Sequence, residues 1–193
     1  KSGMRDDFAY LRNLGLKKAK NDWVLFVDAD EEVSIQLKEE IIKVIKNTNI
    51  NGYYIKRRDY FLGRRLKHGE TGKTKLLKLG KKKQGCWTRK VHEIWQIKGK
   101  IGQLQKPLFH YPHPTIAEFL NRINRWTDLD AQTFYAQGKR INFWQIIIFP
   151  AAKFMLNYFI RLGFLDGMPG LIMALMMSFH SFLTRGKIYA LSN

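Results

Sequence analysis

The chain has 193 residues, of which 45% are hydrophobic and 13% aromatic, a globular composition that can bury a core. Its 34 Lys and Arg against 16 Asp and Glu give a formal charge of +18, which calls for an anionic partner: nucleic acid, a membrane surface or a phosphorylated substrate. The single cysteine, Cys86, excludes an internal disulfide framework and fits a reducing compartment or a cytoplasmic face.

Residues 8–20 predict a helix, with apolar positions 8, 11, 15/16 and 19 on one stripe. Asn21-Asp22 turns the chain into Trp23-Val24-Leu25-Phe26-Val27, an apolar run that reads as a strand buried on both faces, as in a parallel sheet flanked by helices. Asp28, Asp30, Glu31 and Glu32 follow at once. Alternation along a strand would aim Asp28 and Asp30 the same way, close enough to share one ligand. Two carboxylates at the carboxyl end of such a strand suit a hard divalent cation such as Mg²⁺ or Mn²⁺, and with it a phosphate-bearing substrate. On spacing alone, an acidic turn leading into the next helix explains the same residues.

Ser34 is the expected N-cap of a helix over 35–47, with Leu37, Ile41, Val44 and Ile45 on one face. From 53 to about 111 the pattern shifts to short strands, at 53–57, 75–79, 91–95 and 104–110. Between the first two, residues 59–73 carry Gly63, Gly69 and Gly72 among basic residues and predict a mobile loop. Thr115-Ile116-Ala117-Glu118 forms a Thr-x-x-Glu capping box, which opens a helix bearing Ile116, Phe119, Leu120, Ile123, Trp126 and Leu129 on one side. Two apolar runs close the chain, at 143–164 and 168–183. The second falls short of the roughly 20 residues a spanning helix needs. Two helices in the membrane interface, with Lys153, Arg161, Arg185 and Lys187 at the headgroups, therefore fit better than two spans. A pair of helices packed on the protein's own core gives the same pattern.

Four segments together resemble the inverting family 2 glycosyltransferases of the GT-A fold, in the bacterial branch that builds lipopolysaccharide core and related surface glycans. They are Arg12-Asn13-x-Gly15-x-x-x-Ala19 with Asp22-Trp23 and Asp28-Ala29-Asp30-Glu31; Val91-His92-Glu93 with Gly99-x-Ile101-Gly102 and Leu108-Phe109-His110-Tyr111; Phe119 to Trp126-Thr127; and Gly163-Phe164-Leu165-Asp166-Gly167-x-x-Gly170.

The resemblance implies an α/β GT-A (Rossmann-like) fold with C-terminal apolar helices, the catalytic part over 1–140 and the apolar helical part over 141–193. It implies that Asp30 coordinates a divalent cation on the sugar-nucleotide diphosphate, with Asp28 nearby on the ribose or the same ion. Arg12 and Asn13 would face the nucleotide, and His110 would touch the metal or the diphosphate. Glu93 would be the general base, with His92 beside it orienting the carboxylate or packing. The donor would be a UDP- or ADP-sugar, and the acceptor a glycan or lipid-linked molecule at the cytoplasmic face of an anionic membrane.

Family members place several strands before the acid cluster, whereas only about twenty residues precede its strand here, too few for those βα units at roughly thirty residues each. The expectation is an N-terminally truncated fragment lacking its first βα units, binding nucleotide sugar poorly by itself. Two other functions stay open on the sequence. One is a basic nucleic-acid-binding protein, against which stand the scattered basic residues and the lack of any RNP, KH or zinc-finger pattern. The other is a non-catalytic membrane-associated protein.

Overall fold

The computed structural model describes residues 7–46, 49–89 and 93–192. They fall into two compact units. The first runs to Arg58 and resumes over Thr74–His110, and the second holds Asp59–Lys73 and the residues from Tyr111 onward. The boundary expected at 140/141 thus lies inside the second unit.

In the first unit, helix α1 (Phe8–Lys18) starts where the Asp7 side chain accepts a hydrogen bond from Tyr10 N–H. Strand β1 (Trp23–Leu25) pairs antiparallel with β5 (Lys75–Lys81). The sheet runs in the order β1, β5, β3 (Gly52–Phe61), β9 (Leu108–His110), β2 (Glu31–Val33), with β8 (Ile101–Gln103) parallel to β3. The chain is therefore mixed α/β, as the GT-A expectation requires. The parallel, doubly buried setting expected for residues 23–27 is corrected: β1 is half-buried, with β5 as its neighbour in the sheet.

Helix α2 (Ile35–Val44) is capped by Ser34, whose hydroxyl accepts from Leu37 N–H at 3.2 Å. Its Leu37 is fully buried against Tyr53, Ile55, Leu79, Leu104 and Leu108, with Ile41, Val44 and Ile45 packed around them. Burying one such leucine stabilises by about 1.5–3 kcal/mol.

Strand β3 meets β5 with a bulge. Tyr53 faces Leu79 and Tyr54 faces Leu77, which leaves Lys78 as the extra residue. A bulge re-aims the side chain it carries. The Lys78 side chain is almost wholly buried.

Strands β6 (Gly85–Thr88) and β7 (Ile94–Ile97) form a separate antiparallel pair, placing Trp87 opposite Trp95. The two indoles stack at 5.4 Å, and Phe26 meets both edge-on at 5.1 and 5.2 Å. Ala9 and Leu16 of α1 complete this cluster. Gly80 makes room for it, since a Cβ there would lie 2.4 Å from Ile97 Cδ1. The strand expected from 91 begins at Ile94; Val91 and His92 lie outside the described residues.

In the second unit, Tyr60 and Phe61 pair with Arg65 and Arg64 of β4 (Arg64–Arg65) through a turn at Leu62-Gly63, both with positive φ. Paired positive φ values are the signature of a tight hairpin turn. The segment 59–73 is not a mobile loop. Leu66 N–H bonds to Asp59 O, Gly69 N–H to Arg161 O, and the buried Asp166 Oδ2 accepts from the N–H groups of Lys67 and His68 at 2.9 and 2.8 Å.

Helix α3 (Ile116–Ala136) is capped by Thr115, which accepts from Glu118 N–H at 3.1 Å. Helix α4 (Phe143–Met155) opens on a reciprocal Asn142–Gln145 capping box and carries Pro150, whose carbonyl accepts from the Ser178 hydroxyl at 2.8 Å. A π-helical turn (Leu156–Ile160), a left-handed Leu162 and a 3-10 turn (Gly163–Asp166) lead into α5 (Gly167–Ala190). A Cβ on Gly170 would sit 2.1 Å from Gly163 O, so that junction closes only with glycine. By length and composition alone, Phe143–Ile160 and Gly163–Ala190 each reach what a membrane crossing needs. In the most apolar 18 residues of each, only 11% and 33% are buried.

Candidate active site

Helix α1 and the β6–β7 pair bring Arg12 over the Trp87 ring, its guanidinium carbon 4.7 Å from the ring centroid. That cation–π contact holds a fork-shaped donor, and the fork reaches two carboxylates. Nε donates to Glu93 Oε1 at 2.8 Å, and Nη2 donates to Asp28 Oδ1 at 2.9 Å. Residues 81 and 16 positions away from Arg12 thereby meet at one cation.

Asp28, Ala29 and Asp30 form a turn rather than a strand, closed by Glu31 N–H on Asp28 O at 3.0 Å. Strand alternation is thus not what relates Asp28 to Asp30. Asp28 Oδ2 accepts from Lys78 Nζ at 2.7 Å, so both of its oxygens face cations. Burial by itself raises the Asp28 pKa. The hydrogen bond and charge of Lys78, then the charge and hydrogen bond of Arg12, outweigh that, and the carboxyl stays below its ordinary range.

Lys78 also donates to Glu31 Oε2, which in turn accepts from Asp28 N–H at 2.9 Å. The Glu31 side chain is fully buried, and its Oε1 has no hydrogen-bond partner among the described residues. Neither Lys78 nor Glu31 was expected as a site residue. The signal available was a lysine inside the apolar strand 75–79, which gains meaning only once the bulge is known.

Asp30 Oδ1 lies 3.7 Å from Nε2 of His110, the last residue of β9, which pairs with Glu31 in the sheet register. Among the described residues no three His, Cys, Asp or Glu side chains converge as a complete metal cage. The Asp30 carboxylate alone offers the kind of ligand that Mg²⁺ or Mn²⁺ takes beside water and substrate phosphate, and the His110 imidazole 3.7 Å away would be a less usual partner for so hard an ion. Asn13 is placed differently. Its amide donates to Trp87 O at 2.8 Å and accepts from Trp87 N–H at 2.9 Å, splinting α1 to β6. Of the residues singled out from the sequence, Arg12, Asp28 and Glu93 form one connected group, Asp30 and His110 a second, and Asn13 supports the first.

Residues 4–97 match the model of the family described as "Glycosyl transferase family 2". Those residues belong to glycosyl transferase family 2. The family 2 segment contains Arg12, Asn13, Asp28, Asp30, Lys78 and Glu93, while His110 lies beyond it. The chain is also similar over most of its length to the lipopolysaccharide core biosynthesis glycosyltransferase LpsC of Rhizobium meliloti (strain 1021). The two are 26% identical over 186 residues, covering 94% of this chain and 69% of that protein. Uncharacterized glycosyltransferases of Rickettsia typhi and Rickettsia prowazekii are each 26% identical over 185 residues, covering 89% of this chain and 63% of theirs. This chain spans about two thirds of the length of the relatives it matches.

Proposed function

We propose that this family 2 glycosyltransferase moves a sugar from a nucleotide-diphosphate sugar to a cell-envelope glycan or glycolipid, with inversion, using Glu93 as the general base. The observation that carries the reading is the Arg12 fork joining Glu93 to Asp28. It sets a carboxylate beside the acid turn and holds it there. Arg12 is the one described partner of Glu93, and it engages Oε1, so Oε2 can face an acceptor hydroxyl. In the transfer, the acceptor O–H gives its proton to Glu93 while its oxygen attacks the anomeric carbon. The bond from that carbon to the diphosphate breaks on the opposite face, and the nucleoside diphosphate leaves with the electron pair.

Asp30 and His110 would hold a divalent cation, Mg²⁺ or Mn²⁺. Such an ion supplies positive charge for the leaving diphosphate. Asp28, with both oxygens on Arg12 and Lys78, suits a supporting place or a ribose contact better than direct metal ligation. Arg12 keeps the nucleotide-facing role more readily than Asn13, whose amide is paired with Trp87. Binding of UDP- and ADP-sugars to the full-length gene product, titrated with Mn²⁺, tests this assignment. Asp30→Ala should abolish the Mn²⁺ dependence and Glu93→Gln should leave it intact. Equal Mn²⁺-dependent binding by the Asp30 variant would remove the metal site from the reading.

The acceptor class rests on similarity to LpsC and on the apolar C-terminal helices. Trp144, Ile148 and Ile160 are more than half exposed, on helical stretches long and apolar enough to contact a bilayer. With +18 net charge, the side of the membrane rich in anionic lipid would be favoured, which suits the cytoplasmic face. Flotation with anionic liposomes should be lost on replacing Ile147 and Ile148 by Asp. Undiminished flotation would take the membrane out of the account.

A further inference from the structure

Within the second unit, α3, α4 and α5 enclose a cleft of about 420 Å³, far from tightly packed and of the size that holds a small ligand. Its polar lining carries three cations, Lys139, Lys153 and Arg185, beside His180 and one carboxylate, Asp130. The hydroxyl residues Ser181 and Thr184 share the wall. Apolar side chains, Phe134 and Phe149 among them, supply the rest.

Two of these cations, Arg185 and Lys139, are positioned by contacts with neutral groups, whereas Lys153 is paired with a carboxylate. Arg185 Nη1 donates to Ser181 Oγ and O at 2.7 and 3.1 Å, and its guanidinium lies 4.2 Å from the Phe149 ring centroid. Among the described residues, Arg185 has no acidic partner, although it is only partly exposed. Lys139 sits 4.7 Å over Phe134. Lys153 bonds to Glu70 at 2.8 Å, and His180 Nε2 is 3.9 Å from Asp130 Oδ2. An unneutralised guanidinium held by side-chain and backbone acceptors, with its remaining N–H groups directed elsewhere, is a receptor for an oxyanion.

We propose that this cleft binds the phosphate group of an amphiphile, a phosphodiester or monoester carrying an acyl or isoprenyl chain. Arg185, Lys139 and the Ser181 hydroxyl, which accepts from Arg185 and keeps its own O–H, would take the phosphate oxygens. The volume exceeds what a bare phosphate fills, and the aromatic and aliphatic wall suits the first carbons of the chain. Phe149, which lines the cleft, is itself 46% exposed on the apolar surface of α4, and so gives that chain a continuous apolar path outward.

Calorimetric titration of the full chain in maltoside micelles tests the site, with dihexanoylphosphatidylglycerol as the probe and inorganic phosphate and dihexanoylglycerol as separate arms. The assay contains neither bilayer nor nucleotide sugar, so its outcome is independent of the proposed activity and of membrane attachment. The phospholipid should bind at least tenfold more tightly than inorganic phosphate, which separates a lipid headgroup from free phosphate, and also than the phosphate-free glyceride. Arg185→Gln and Lys139→Gln should each weaken it at least fivefold. Lys139 is solvent-exposed, so its variant decides the question if the Arg185 variant loses helical content. Unchanged affinity in a folded variant set, or inorganic phosphate binding as tightly as the phospholipid, overturns the proposal.

Discussion

Arg12 Nε lies 2.8 Å from Glu93 Oε1, a charged hydrogen bond joining α1 to the residue just before β7, and the same guanidinium holds Asp28 at 2.9 Å. A lysine at position 12 would keep the charge but could serve one carboxylate at a time. Arg12→Lys should therefore retain under about a tenth of the transferase activity, a loss of about 1.4 kcal/mol or more in transition-state stabilisation. Far-ultraviolet circular dichroism should be unchanged. Activity within twofold of the parent would show that Arg12 does not position Glu93.

Lys78 is the buried counterpart of the same group. Its side chain, 4% exposed, faces Asp28 Oδ2 and the fully buried Glu31. Removing one partner of a buried pair strands the other charge, at a cost of about 3–5 kcal/mol. Lys78→Met should lower thermal stability steeply, and adding Glu31→Gln should recover much of the loss because the stranded charge is gone. A double-mutant cycle by thermal denaturation reads this directly. Additive losses would contradict the pairing.

Asp28 sets a pH limit. Burial raises its pKa, but Lys78 and then Arg12 bring the folded-state value below the ordinary carboxylate value. The unfolded chain therefore takes up a proton first as pH falls. The stabilisation is fully present above the unfolded value of about 3.9, and is lost as pH drops through that value toward the lower folded one. Stability measured by urea denaturation between pH 6 and 3 should fall in the parent, and the Asp28→Asn variant should show a shallower slope. Identical slopes would mean that Asp28 is no more strongly held in the folded state than in the unfolded chain.

Local rules legible in the sequence located much of the secondary structure. The Ser34 cap, the Leu37–Ile41–Val44 face and the Thr115 cap all appear where spacing put them, since each depends on residues within a few positions. Pairing partners were beyond such rules. Five consecutive apolar residues at 23–27 do not say whether a neighbouring strand runs parallel or antiparallel, and β1 proved to be antiparallel to β5 and half-buried.

The same limit applied at the site. Asp28 and Asp30 could be singled out by their setting and Glu93 only through the family resemblance, but the contact of Arg12 with Glu93 spans 81 positions, and Lys78 turns toward Asp28 only because of a one-residue bulge opposite Tyr53 and Tyr54. The segment 59–73 misled in the other direction. Its glycines and charges resemble a free loop, yet one buried carboxylate, Asp166, ties down the backbone at Lys67 and His68.

Removal of the acceptor proton is the role proposed for Glu93. Its most direct test is transfer of labelled sugar from a UDP- or ADP-sugar to an envelope glycolipid by the full-length gene product and its Glu93→Gln variant, with donor affinity measured in parallel. Loss of a positioned general base costs about 10²–10⁴-fold in rate. The expected result is a fall of that size in kcat with donor affinity within threefold of the parent. A Glu93→Gln variant that turns over at the parent rate would contradict the assignment.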